Sequence, residues 1–260
     1  LKTADIGIAM GIAGTEVARE AADMLLTDDN FATIEAAVEE GRGVFDNLTK
    51  FIVWTIPTNL GEGLVILAAV FAGVAMPILP VQILWINMTT AVLLGLMLAF
   101  EPKEPGLMTR LPRDPAAPII TGALIFRIAL VGSLLLGGAF GLFKLEMLAT
   151  GNLAAARTAA VNVFVMGELF YLFNCRSLTE SAFRIGFFSN PLLFAGVAAM
   201  TLLQLGFTYV PAMNSLFHSA PIGLEHWGSI LICAFAIYTA VGLEKMIYGV
   251  VRRRNNKKAG

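Results

Sequence analysis

The sequence predicts a mainly α protein, a polytopic membrane bundle of six transmembrane helices preceded by a short N-terminal α/β segment. Three observations predict it. The chain of 260 residues is 57% hydrophobic and only 14% charged, too apolar for a soluble domain of that length. Six stretches reach the roughly 20 apolar residues that a bilayer crossing requires; they fall at 51–74, 79–100, 119–148, 158–175, 191–211 and 227–249. Residues 1–30 differ in kind, reading strand, helix, strand.

In that N-terminal segment, Ile6-Gly-Ile-Ala-Met-Gly11 suits a buried strand, Thr15 to Ala22 a charged helix, and Met24-Leu-Leu-Thr27 a second strand. Thirty residues cannot close a core alone, so they are expected to end a larger domain. Leu1 is not a natural start, and no secretory signal opens the chain.

Asp28, Asp29 and Asn30 offer N-cap oxygens for a helix starting near Phe31. Phe31, Ile34, Val38, Phe45, Leu48 and Ile52 follow a three-four repeat that runs into the first span. One helix from Phe31 to Gly73 is expected, about 60 Å long at 1.5 Å per residue, with Gly41 and Gly43 as weak points.

The first two spans carry polar clusters where lipid-facing helices have none. Asn59 and Glu62 are three apart and share a face; Asn87 and Thr90 repeat the spacing on the next span. A charged side chain near the bilayer centre costs about 2.5–3.5 kcal/mol on insertion scales, so it is expected to face a partner or an ion path. Two converging oxygen-rich faces at membrane depth read as a cation site. Pro57 beside them removes one helix hydrogen bond and frees a carbonyl.

The other four spans read as packing helices; glycines 132, 137, 138 and 141 suggest close helix contacts. Gln82 and Gln204 read as interhelical hydrogen-bonding groups, and Trp54, Trp85 and Trp227 as packing or interface residues. Cys175 and Cys233 fall near opposite membrane faces, which excludes a disulfide between them. The proline-rich, charged stretch Glu101 to Pro118 reads as an extended loop.

Basic residues fix the expected orientation. Lys103, Arg110, Arg113, Arg176, Arg184 and the tail residues Arg252, Arg253, Arg254, Lys257 and Lys258 all fall on one side, while the opposite connections hold only Arg157, His218 and His226. Both termini are therefore expected in the cytoplasm. The partner expected from composition is the lipid bilayer; nothing in the pattern points to nucleic acid.

Six segments together resemble the C-terminal part of P-type cation-transporting ATPases, in the class of the calcium pumps and their bacterial relatives. They are Ala4-Asp-Ile-Gly-Ile-Ala-Met-Gly11, Leu26-Thr-Asp-Asp-Asn-Phe31, Ala37-Val-Glu-Glu-Gly-Arg42, Asn59-Leu-Gly-Glu62, Pro80-Val-Gln-Ile-Leu-Trp-Ile-Asn87 and Arg110-Leu-Pro-Arg113, in the family's order across residues 1–115. Beyond them the match is six-helix topology plus Val165-Met-Gly-Glu-Leu169.

The resemblance implies that 1–30 ends the phosphorylation domain, 31–50 is a stalk helix, 51–250 is the transport domain and 251–260 a basic cytoplasmic tail. It implies cation ligands at Asn59, Glu62, Asn87, Thr90 and Glu168, and a multi-pass position in a bacterial plasma membrane. Where calcium pumps carry an aspartate shared by two ions, this chain has Ala91, so a two-calcium stoichiometry is not expected and the ion stays open between Ca2+ and another small cation. The phosphorylated aspartate and the nucleotide domain would precede Leu1, so ATP and Mg2+ belong to the full-length protein, and this chain alone is expected to hydrolyse no ATP. Its remaining partner would be the missing N-terminal half of the pump, on the same or a separate chain. The competing readings are a non-catalytic scaffold or split-pump subunit and a passive channel or carrier.

Overall fold

The computed structural model describes residues 1–114, 116–178 and 184–259, with backbone alone over 251–259. It divides into two units, Leu1–Asp46 with Lys103–Arg113, and Asn47–Pro102 with Asp114–Gly260.

The first unit begins with β1 (Ile8–Met10), α1 (Glu16–Glu20) and β2 (Met24–Leu26). The strands pair in parallel, with Ile8 opposite Met24 and Met10 opposite Leu26, so the expected strand-helix-strand order holds. Gly11 closes the pair by donating its N–H to the Leu26 carbonyl at 2.7 Å. A Cβ at Gly11 would lie 2.7 Å from that same oxygen, so no larger residue fits there. The Asp29 carboxylate accepts the N–H groups of Ile12 and Ala13 at 2.8 and 2.6 Å. Those bonds, Ile12 first, hold its carboxyl below the usual aspartate range.

Helix α2 spans Ala32–Ala72 without interruption at Gly41, Gly43 or Pro57, and contributes residues to both units. Its start is satisfied as the sequence suggests: Asn30 Oδ1 accepts the Ala32 N–H at 3.0 Å, and Asp28 Oδ2 the Thr33 hydroxyl at 2.7 Å. The apolar repeat expected to be a seam is largely open, with Phe31, Val38 and Leu48 exposed.

The segment after the second span is not the extended loop that its prolines suggest. Arg42 donates to the carbonyls of Leu107 and Arg110, both at 3.0 Å, over a single 3-10 turn at Leu107–Thr109. Arg110 pairs with Asp46 at 2.7 Å and Glu104 at 2.8 Å, and the Arg113 guanidinium lies 4.6 Å from the Phe45 ring centroid. Each such exposed pair is worth under about 1 kcal/mol, but together they fix the segment along the first turns of α2.

The second unit holds the six long apolar helices: the later part of α2, α3 (Pro80–Thr90) with its continuation to Phe100, α4 (Gly122–Thr150), α5 (Leu153–Cys175), α6 (Pro191–Tyr209) and α8 (Leu224–Ala259). A short α7 (Pro211–Phe217), which the sequence did not suggest, bridges α6 and α8. Helix α5 is the core, with 78% of its apolar window buried against 28–39% for the other five. It packs chiefly on α4 and α8. The backbone of α8 continues through Ala259, so the expected separate tail prolongs the last helix. The basic side chains Arg252, Arg253, Arg254, Lys257 and Lys258 lie outside the described residues.

Two of the four glycines named for close packing do that work. A Cβ at Gly132 would meet Leu60 at 3.3 Å, and one at Gly138 would meet Val163 at 3.1 Å; Gly137 and Gly141 face open space.

The second span departs most from expectation. After α3 the chain widens into a π turn at Ala91–Gly95, closed by Leu96 N–H to Ala91 O, and then tightens into 3-10 geometry over Leu96–Phe100. Gln82, Ile86, Thr90, Leu94 and Leu98 are buried, while Leu84, Met88, Val92, Leu96 and Phe100 are exposed, a strict four-residue repeat. On a regular α-helix such a repeat drifts about 40° per turn, which an inserted π turn counteracts. Glycine makes room for it: a Cβ at Gly196 of α6 would lie 2.0 Å from the Leu93 carbonyl oxygen, and one at Gly95 would lie 2.8 Å from the Trp54 ring.

Candidate cation site

Four of the five residues singled out from the sequence meet inside the second unit. Glu62 on α2, Thr90 on α3 and Glu168 on α5 are buried, and Asn87 on α3 is half-buried. Asn87 Nδ2 donates to Glu62 Oε2 at 2.7 Å, joining the two polar faces as their spacing suggests. Glu168 lies within electrostatic reach of both Glu62 and Thr90. Thr90 gives its hydroxyl proton to the Ile86 carbonyl at 2.9 Å, which turns the oxygen lone pairs outward as acceptors.

Asn59 stands apart. It is exposed on α2, and among the described residues no hydrogen bond ties it to the other four.

Two oxygens define the chemistry. Glu62 Oε1 and Glu168 Oε2 are buried and accept no hydrogen bond. The third buried oxygen of this kind, Glu146 Oε2, is different because His226 Nδ1 pairs with it at 2.9 Å. Leaving buried carboxylate oxygens without a donor costs several kcal/mol, so their retention side by side needs a compensating ligand. The oxygens of Glu62, Glu168 and Thr90, with the amide of Asn87, suit a hard cation. Two carboxylates are an incomplete set: no group of three or more His, Cys, Asp or Glu able to hold a metal occurs among the described residues.

Pro57 is accommodated without a break. The Val53 carbonyl that its ring leaves without a donor accepts the Tyr171 hydroxyl of α5 at 2.8 Å. In return, Trp54 Nε1 of α2 donates to the backbone carbonyl of Glu168 at 3.1 Å.

Other polar groups escaped sequence reasoning. Arg176, expected among the basic loop residues, is instead fully buried and pairs through Nε with Glu101 at 2.9 Å. Asn190 Nδ2 donates to the same Glu101 oxygen at 2.9 Å. Both charges end spans on the same side, a signal that could have paired them. Helix α5, expected to be a plain packing helix apart from Glu168, also carries Asn162. Its side chain accepts from Gln204 Nε2 at 3.0 Å and donates to Thr158 O and Thr208 Oγ1 at 2.9 and 3.1 Å. Gln204 in turn accepts from Trp85 Nε1 at 3.1 Å, and Gln82 Nε2 donates to Phe217 O at 3.0 Å, so both glutamines bridge helices as expected. Trp227 donates to the Tyr209 hydroxyl at 2.7 Å.

Six apolar helices around a buried pair of carboxylates make this a multi-pass membrane protein with cation-site chemistry. The family described as cation transporting ATPase, C-terminus, matches residues 75–247. A probable cation-transporting ATPase F of Mycobacterium tuberculosis is 61% identical over 95% of this chain and 27% of its own length. The cation-transporting ATPase pma1 of Synechocystis is 44% identical over 89% of the chain and 26% of its own, and a calcium-transporting ATPase of Bacillus subtilis 38% over 87% and 26%. The chain belongs to the cation-transporting ATPase family and carries its C-terminal membrane part. It spans about a quarter of the length of the curated relatives it matches.

Proposed function

We propose that this chain is the transport part of an ATP-driven cation pump, with Asn59, Glu62, Asn87, Thr90 and Glu168 as its contribution to the ion site. The observation that carries the reading is the pair of buried, unpartnered oxygens on Glu62 and Glu168. Residues 1–30 would end the phosphorylation domain and 31–50 form its stalk, with both termini cytoplasmic at a bacterial plasma membrane; the segregation of basic residues supports that orientation. The missing N-terminal half would bring the phosphorylated aspartate, ATP and Mg2+ sites, and the ligands facing Asn59.

Ca2+ is the proposed cargo, supported by the oxygen ligands and by the name of the Bacillus subtilis relative. Ala91 opens the π turn without adding an oxygen, so one Ca2+ per cycle is proposed. In the cycle, Glu62 and Glu168 hold the ion while Asn87 fixes the Glu62 carboxylate on its far oxygen. Movement of α2, the element shared with the cytoplasmic unit, would then withdraw Glu62 from α5 and release it.

The test is cation-dependent acyl-phosphate formation and labelled-calcium occlusion by the full-length protein. Glu62→Gln and Glu168→Gln should each weaken apparent cation affinity roughly ten- to a hundredfold, the range for losing a charged contact. Unchanged affinity in both would remove the site from these helices, and two occluded calcium ions would overturn the one-ion stoichiometry. The isolated 260-residue chain should take no label from ATP.

A further inference from the structure

We infer that Tyr171 is a positioning residue of the transport cycle, and that it works because of Pro57. The inference rests on the reading of Glu62 and Glu168 as ion ligands.

Proline at position 57 has no N–H for the carbonyl four residues earlier, and its ring crowds that carbonyl. The abandoned acceptor is Val53 O, buried at the face of α2 that meets α5. Inside a bilayer an unsatisfied carbonyl finds no water, so a neighbouring side chain has to serve it. Tyr171 does so, with its hydroxyl 2.8 Å from Val53 O and its own ring fully buried.

The second half of the arrangement runs the other way. Trp54, next to Val53, donates its indole N–H to the carbonyl of Glu168 at 3.1 Å. Glu168 and Tyr171 are three apart on α5 and share a face; Val53 and Trp54 are consecutive on α2. Each helix thus gives one side-chain donor to the other's backbone, and one of the two acceptors is the backbone of the proposed ligand Glu168. Two crossed hydrogen bonds fix both rotation and sliding of α2 against α5, where a single one would fix neither. Fixing them sets how the Glu62 and Glu168 carboxyls face each other. The proline creates the acceptor that makes the Tyr171 bond necessary, so the kink residue and the tyrosine form one device.

The experiment uses the full-length protein. Tyr171→Phe removes only the hydroxyl and should lower apparent cation affinity for phosphoenzyme formation by about three- to tenfold, the worth of one interhelical hydrogen bond in a membrane. Maximal phosphoenzyme at saturating cation should be retained, a split that a general loss of folded protein would not give. The decisive arm is Pro57→Ala, which restores an N–H able to reach Val53 O. In that background Tyr171→Phe should change affinity by less than about twofold, because the carbonyl no longer depends on the tyrosine. Pro57→Ser serves the same purpose if the alanine variant is not produced. An equal effect of Tyr171→Phe with and without the proline overturns the inference, as does unaltered affinity in Tyr171→Phe alone. Absence of cation-dependent phosphorylation in the unmutated protein instead overturns the pump reading, so the two failures are distinct.

Discussion

Helix α5 passes through two buried polar clusters about 9 Å apart along its axis, one around Asn162 and one around Glu168. Both residues are almost wholly shielded from solvent. Around Asn162 the account closes: Gln204, Thr208, Thr158 and Trp85 give and receive hydrogen bonds in turn. Around Glu168 it does not, because one oxygen there and one on Glu62 are left without a donor. Burial and polarity alone therefore do not separate a packing cluster from a receptor. What separates them is whether the protein itself completes the hydrogen bonds. A closed network holds helices together and has no capacity to spare, whereas the open one keeps its lone pairs for something that arrives and leaves.

The buried pair of Arg176 with Glu101 is the extreme of the closed kind, and breaking it gives the largest expected effect. Arg176→Met strands Glu101, which is shielded from water and then shares only the amide of Asn190. Loss of one partner of a buried ion pair costs about 3–5 kcal/mol. Thermal unfolding of the full-length protein in detergent should show a clear drop, much of it recovered by adding Glu101→Gln. A stability indifferent to Arg176 would mean that paired charge is not what holds this end of the bundle.

Asn162→Leu probes the closed network at its centre and should come next in size. It leaves Gln204 and Thr208 short of partners, for about 1–2 kcal/mol of lost stability. Apparent cation affinity should stay within about threefold, since no oxygen of the open cluster is touched. A tenfold loss of affinity without loss of stability would erase the distinction between the two clusters.

Thr90→Val should have the smallest effect on folding and a visible one on binding. The hydroxyl spends its proton on Ile86 within its own helix, so stability should shift by under about 1 kcal/mol. Cation affinity should fall by about three- to tenfold if the oxygen is a ligand. Equal affinities in Thr90→Val and the unmutated protein would shrink the open cluster to its carboxylates and Asn87.

Much of this was readable in the sequence because its signals are local or periodic. The six spans follow from apolar length, the strand-helix-strand start from short apolar runs, and the α2 cap from Asp28 and Asn30. Glu62 and Asn87 could be matched because each stands out against an apolar background on its own helix. The rest depends on which helices become neighbours. Nothing local to Tyr171 announces that Val53 will need its hydroxyl. Arg176 looked like a surface charge because its partner lies 75 positions away in sequence. Gly137 and Gly141 show the converse, since a glycine's small size is readable while what stands opposite it is not. The π turn hid for another reason: a residue repeat of four reads equally as a sloppy α pattern or as an honest wide one.

That wide turn makes the number of residues between Thr90 and Glu101 a fixed quantity. Membrane helices ordinarily tolerate substitution far better than insertion or deletion, and here the asymmetry should be acute. Deleting one residue from Ala91 to Gly95 would restore an ordinary turn without removing any liganding group or charge. Yet everything after it would come round too early, swinging Leu98 out of the core and Glu101 away from Arg176 and Asn190. Among relatives aligned over this span, a gap placed inside 91–95 would therefore mark a differently wound helix, and side chains beyond the gap should not be assumed to occupy matching positions.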